Sequence, residues 1–143
     1  MRVTIKLGGS ILEDAPTRDE IVGRVAAAVE SGTQVLIVHG GGKRLNRRLA
    51  ELGIDSRFVS GLRVTDERTL SVALMVLAGE VNKNLVVALG TERVRAIGIC
   101  GADASSVRCE PMKSRAEPVK SSALSDSLPR STVTSSTRCS NAA

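Results

Sequence analysis

Apolar residues along the first hundred positions alternate between a two-residue and a three-to-four-residue period, and nearly every switch falls at glycine. RVTIKL puts Val3, Ile5 and Leu7 on one face of a strand that ends at Gly8-Gly9. Pro16 and Thr17, with Glu20 three residues after Thr17, read as a capping box. The helix beyond it carries Ile21, Val25 and Val29 and stops at Gly32. VLIV at 35–38 is a continuous apolar run, which predicts a strand covered on both faces. Leu45, Leu49 and Leu52 mark another helix, closed by Gly53. A further helix is expected from Thr65, with Asp66 and Glu67 at its positive end and Leu70, Leu74 and Leu77 buried. Val81, Leu85 and Leu89 continue it to Gly90, and RAIGICG at 95–101 reads as one more buried strand.

Strand, glycine turn and helix in repetition predict an α/β protein with a doubly wound, parallel sheet. Such sheets bind ligands at the carboxyl ends of their strands. Gly8-Gly9 and Gly40-Gly41-Gly42 both fall at that edge.

Composition narrows the function. The chain has 143 residues, enough for one domain with a real core, and 42% of them are hydrophobic. Phe58 is its single aromatic residue, so stacking platforms for single-stranded nucleic acid are missing. The formal charge of +5 comes from Lys and Arg scattered among Asp and Glu. A basic soluble surface is the reading, and no nucleic-acid partner is expected. MRVTIKLGG is too short in apolar length for a signal peptide, no segment approaches a membrane span, and a cytoplasmic protein is expected. Cys100, Cys109 and Cys139 lack metal-ligand spacing and read as reduced thiols, with no metal site.

A backbone without Cβ lets successive N–H groups approach an anion at a helix N-terminus. The glycines serve either that purpose or tight turns alone. A Walker A loop needs glycine where Ile37 stands and Ser or Thr where Arg44 stands. The dinucleotide fingerprint needs glycine where Leu45 stands. Lys6 lies inside a strand expected to be buried, where an anion would have to compensate it; the alternative is an edge lysine reaching solvent. His39, the only histidine, reads as a packed, hydrogen-bonded residue rather than a general base.

IKLGGS at 5–10, VHGGGKRLN at 38–46, GLRVTDERTL at 61–70 and LAGEVNKNLV at 77–86 together resemble the amino-acid kinase family. The resemblance runs from Arg2 to about Cys109. It implies a three-layer α/β sandwich with a mainly parallel central sheet, of which residues 1–118 would be the N-terminal substrate lobe. It is nearest to the branch that phosphorylates the side-chain carboxylate of N-acetyl-L-glutamate with ATP and Mg²⁺. A branch acting on an aminoadipate-type substrate is the runner-up, and Val64 favours the former. Residue by residue, the resemblance gives Lys6 the transferring phosphoryl group and Gly8 and Gly9 the ATP phosphates. Gly41 and Gly42 would hold the acceptor, and Arg63 would grip its α-carboxylate. It also implies a homodimer formed through this lobe. Arginine-inhibited members carry an additional N-terminal helix, so arginine feedback is not expected here.

Family members are considerably longer, and their nucleotide lobe, substrate asparagine, catalytic aspartate and second lysine have no counterpart in these residues. Residues 119–143 hold 11 Ser or Thr among 25 and show neither period. A disordered tail would explain this, but a frameshift explains it better. In the frame starting at each third base, serine codons of the TCN type encode Phe, Leu, Ile or Val, so hydrophobic strands surface as serine-rich text. With permitted synonymous codons, 122–143 then re-reads as the family's next strand and helix. The gene is expected to open a long kinase-like frame on a single-base shift near the Pro118 codon; a nucleotide sequence with no such frame excludes the frameshift.

Overall fold

The computed structural model describes residues 1–108. The boundary at 118, the 119–143 tail, Cys109 and Cys139 lie outside the described residues. Two strands, β1 (Arg2–Leu7) and β2 (Gln34–His39), pair in parallel, in register from Arg2 opposite Gln34 to Leu7 opposite His39. Between them run α1 (Gly9–Glu13) and α2 (Ala15–Glu30). The start of α2 differs from the Thr17 capping box: the Asp14 carboxylate accepts from the Thr17 amide at 3.0 Å, and Pro16 sits in the first turn. An earlier carboxylate with proline just inside the helix is the stronger start signal.

Along both strands the side chains alternate. Ile5, Leu7, Val35 and Ile37 face a core built with Val22, Val25, Leu85 and Leu89. The expectation that VLIV is covered on both faces is therefore corrected, because Leu36 and Val38 are 58% and 51% exposed. Lys6 shares that open face and is exposed rather than buried. RAIGICG is also corrected: residues 95–100 form no strand among the described residues, and Ile97 is 90% exposed. An apolar run reports only that burial is available, and the covering layer must come from elsewhere in the chain.

The next helix, α3 (Gly42–Glu51), buries Leu45 and Leu49 as expected, whereas Leu52 is exposed just beyond its end. Gly53 closes the helix with a positive φ of 65°. A hairpin that the periodicity did not reveal follows, with β3 (Phe58–Val59) antiparallel to β4 (Leu62–Arg63). Its two-residue loop, Ser60-Gly61, has positive φ at both positions, as a twist-matched tight turn demands.

The long helix that follows has three parts: α4 (Glu67–Ala73), a π-helical stretch (Leu74–Val81) and α5 (Asn82–Thr91). Asp66 caps it, accepting from the Thr69 amide at 2.8 Å, so the helix starts after Thr65. The expected face of Leu70, Leu74 and Leu77 holds only in part: Leu77 packs partly buried against the helix core, while Leu74 is 49% exposed and Thr69, Val72 and Val76 are the buried positions. Val72 and Val76 form a second core with Leu45 and Leu49 of α3. The π turns fit an additional residue into the spiral. The buried series can therefore run from Val76 through Val81 to Leu85 and Leu89, leaving Asn84 and Val87 outside. By length and composition Glu67–Thr91 could cross a membrane, which corrects the expectation of no such segment. Its Val72, Val76, Leu85 and Leu89 are spent on the two cores.

The Thr69 hydrogen bonds hold the Asp66 carboxyl below the ordinary carboxylate range. A lowered folded pKa makes the cap's contribution complete above about pH 4, the unfolded value, and lost as pH falls through the folded one. Asp66→Ala is expected to cost about 1 kcal/mol at pH 7. Urea denaturation at a series of pH values should show the gap to wild type closing below pH ~4; a gap independent of pH would assign the loss to something other than the carboxylate.

Candidate functional site

The parallel register decides where the chemistry gathers. Because Leu7 lies opposite His39, the Gly40 amide can donate to the Leu7 carbonyl at 3.0 Å, carrying the ladder one step past β2. The two glycine turns then lie backbone against backbone. A Cβ on Gly9 would stand 3.1 Å from the Gly41 Cα and nitrogen and 3.3 Å from the Gly42 nitrogen. On Gly41 it would stand 2.6 Å from the Leu77 Cδ2 and 3.2 Å from the Val81 Cγ2. At Gly41 φ is 173°, outside the left-handed region, and an added Cβ would have to displace the ends of the Leu77 and Val81 side chains.

Each turn opens a helix: Gly8 caps α1 and Gly41 caps α3. The first intrahelical bond of α3 runs from the Leu45 amide to the Gly41 carbonyl. The earlier amides of that turn are the ones a helix leaves for an outside acceptor. The first turn of α3 holds no acidic residue that would compete for this positive end. Lys6 lies two residues before Gly8, exposed and without an ion-pair partner among the described residues. Arg44 is committed: its Nε donates to Glu80 Oε1 at 2.9 Å, and its Nη2 bonds the same oxygen. That pair ties α3 to the π stretch and holds the Glu80 carboxyl below its ordinary range.

Arg63 reaches α3 one turn beyond Gly42. Its Nη1 donates to Ser56 Oγ at 2.6 Å, its Nη2 donates to Asn46 Oδ1, and its Cζ lies 4.6 Å from the centroid of the Phe58 ring. Lys6, Gly8, Gly9, Gly41 and Gly42 thus gather at the carboxyl edge of the sheet, with Arg63 at the flank of the same helix. A small cavity of about 170 Å³ lies behind the turns, touching Gly9, Gly41 and Asn84. A cavity of about 650 Å³ lies instead between β2 and Val94–Gly101. None of the expected site residues lines it.

Periodicity alone gave no hint of a polar chain running through Asn82 and Lys83. His39 Nδ1 donates to the Gly40 carbonyl at 3.1 Å, which leaves Nε2 to accept from Asn82 Nδ2 at 3.2 Å. Lys83 Nζ bonds Asn82 Oδ1 at 3.2 Å and the Gly98 carbonyl at 2.8 Å. His39 is therefore a hydrogen-bonded packing residue, as its place at a strand end implies, and it braces the Gly40 turn. The sequence signal for this network was the NK pair within LAGEVNKNLV, whose polar Asn82 is only 7% exposed.

Paired glycine turns thus end the parallel ladder, with Lys6 two residues before the first and Arg63 oriented at the flank of α3. The amino acid kinase family model matches residues 1–136, and the chain belongs to that family. Relatives carry a narrower name. Acetylglutamate kinase of Koribacter versatilis is 48% identical over 103 residues, which is 72% of this chain and 40% of that protein. The Solibacter usitatus acetylglutamate kinase is 45% identical over 112 residues, 78% of this chain and 44% of its own length. The chain thus spans about two fifths of the length of these relatives. Among solved structures, N-acetylglutamate synthase from Neisseria gonorrhoeae, complexed with coenzyme A and N-acetyl-glutamate, superposes with TM-score 0.62 at 25% identity. That match covers 78% of this chain and 24% of the synthase chain. The smu.665 protein of Streptococcus mutans UA159 shares the fold, with TM-score 0.68 over 78% of this chain and 45% of its own.

Because only backbone faces the Gly9 position, no side chain can rotate away from an added methyl. Gly9→Ala is expected to push the turns apart and cost about 1–3 kcal/mol. Chemical denaturation measures it, and unchanged stability would show that the turns do not depend on their contact.

Proposed function

We propose that this chain is the substrate-binding lobe of an acetylglutamate kinase, whose reaction is ATP-dependent phosphorylation of the side-chain carboxylate of N-acetyl-L-glutamate. The contact between the two glycine turns carries the reading, since it brings together two helix-opening glycine backbones that could both present amides to anionic groups. The acetylglutamate kinase name of relatives at 45% and 48% identity supports the choice of substrate. The family's three-layer sandwich would be completed by chain beyond the described residues.

In this reaction an oxygen of the γ-carboxylate attacks the terminal phosphorus of ATP. The bond from that phosphorus to the bridging oxygen breaks, and ADP leaves with the electron pair. The products are N-acetyl-L-glutamyl 5-phosphate and ADP. Such transfer needs alignment and charge neutralisation more than covalent help. Gly41 and Gly42 would hold the acceptor carboxylate, Gly8 and Gly9 would present amides to the nucleotide phosphates, and Arg63 would bind the α-carboxylate. Lys6, free of internal ion pairs among the described residues, would meet the charge that spreads over the moving phosphoryl oxygens. Mg²⁺ would enter with the nucleotide, as the family resemblance implies. A cytoplasmic homodimer working in arginine biosynthesis completes the proposal.

The share of the relatives' length that this chain spans favours binding over turnover for the 143-residue polypeptide itself. Titration calorimetry is expected to show N-acetyl-L-glutamate binding with or without an ATP analogue, while a coupled ADP-release assay shows weak or no turnover. Ordinary turnover would overturn the binding-lobe reading; absence of acetylglutamate binding would overturn the substrate assignment.

A further inference from the structure

Arg63 is held in a way that differs from the arginines of the neighbouring helix. Arg44, Arg47 and Arg48 each end on a carboxylate, those of Glu80, Glu13 and Glu51. Among the described residues the hydrogen-bond and ring partners of the Arg63 guanidinium are neutral: the Ser56 hydroxyl, the Asn46 side-chain carbonyl and the face of Phe58. No ion pair to Arg63 forms among the described residues. The chain's single aromatic side chain is the one that lies against this guanidinium.

We propose that Asn46, Ser56 and Phe58 are positioning residues that orient Arg63 as a preformed carboxylate receptor without cancelling its charge; this rests on the reading of Arg63 as the substrate-carboxylate group. The physical case is one of donors and charge. A guanidinium has five N–H donors, and the two neutral oxygens occupy one on each terminal nitrogen. Three remain, Nε–H among them, enough for a carboxylate to accept two bonds side by side. Phe58, opposite Arg63 in the hairpin register, covers one face and attracts the cation through its π electrons. An arginine fixed in this way has already lost most of its rotamer freedom before ligand arrives, so less affinity is forfeited on binding. An acidic partner would fix it equally well and leave little charge for the ligand. Three segments supply the clamp: α3 gives Asn46, the loop after it Ser56, and β3 Phe58. Bending the hairpin away from α3 would dismantle the receptor.

The test is titration calorimetry of the full 143-residue chain with N-acetyl-L-glutamate and with its α-carboxamide analogue. Wild type is expected to prefer the carboxylate, and Arg63→Ala to abolish that preference. Asn46→Asp keeps the shape but introduces a charge, and should weaken carboxylate binding by about tenfold or more. Phe58→Leu, at a half-exposed position that leaves the cores untouched, should weaken it by about threefold, and Ser56→Thr should retain it. Binding of the carboxamide should move little in all of these. If Arg63→Ala loses the preference while Asn46→Asp and Phe58→Leu keep wild-type values, the positioning role is wrong and the substrate reading stands. Equal losses for both ligands would mark general structural damage and also overturn the positioning role. A wild-type chain with no preference for the carboxylate removes the substrate reading and this inference together.

Discussion

The approach of two backbones at the end of a two-stranded parallel ladder is the constraint on which the rest of this structure depends. Gly9 and Gly41 meet at a spacing where a Cβ on Gly9 would press to 3.1 Å from the Gly41 backbone, while Leu77 and Val81 close over Gly41 from the long helix. Parallel pairing with Leu7 opposite His39 makes the two turns arrive at the same height. A one-residue slip would set one turn below the other and would also turn the apolar face of one strand outward. Core packing and the contact between the two glycine turns are therefore one requirement.

The long helix satisfies that requirement from two sides. Its first half packs on α3 through Val72 and Val76, and its second half packs beneath the strands through Leu85 and Leu89. The hydrogen bonds of the π stretch span one more residue than those of an α-helix, and beyond it Leu85 and Leu89 face the strand core while Asn82 comes within hydrogen-bonding reach of His39. The Arg44–Glu80 pair fastens the same stretch to the helix that Gly41 opens. Partly exposed, that pair contributes modest stability and more in alignment.

The charges around α3 separate into spent and unspent. Arg44, Arg47 and Arg48 end on carboxylates. Lys6 and Arg63 do not, among the described residues, and these two were singled out from sequence as anion-binding groups. Their legibility differed. Lys6 stood out on the premise of a buried strand, and its face of the sheet is open. Arg63 stood out through the GLRVTD block, but Asn46 and Ser56 lie 17 and 7 residues from it in the chain. No local period connects residues at those separations, so the clamp was invisible before the fold brought them together.

Local chemistry was readable because it acts within a few residues. Alternation in RVTIKL, the glycines ending each strand, the Leu45–Leu49 spacing and the acidic residue before α4 each follow from the backbone's own periods and unsatisfied amides. Coverage was not readable, because the layer that hides an apolar residue comes from distant chain. For that reason Leu36, Val38 and Ile97 stand exposed where continuous apolar runs promised burial. The helix face between Leu70 and Leu77 was misassigned because the leucines alone marked its buried side, while Thr69, Val72 and Val76 are buried, the two valines against the partner helix α3. By itself the sequence determined β1, β2 and the longer helices, and the glycines at which they break, but neither the β3–β4 hairpin nor the irregular course of 95–100. Tertiary structure alone decided which glycines touch, which arginines keep their charge and which face of each strand is closed, since each depends on contacts between segments far apart in the chain.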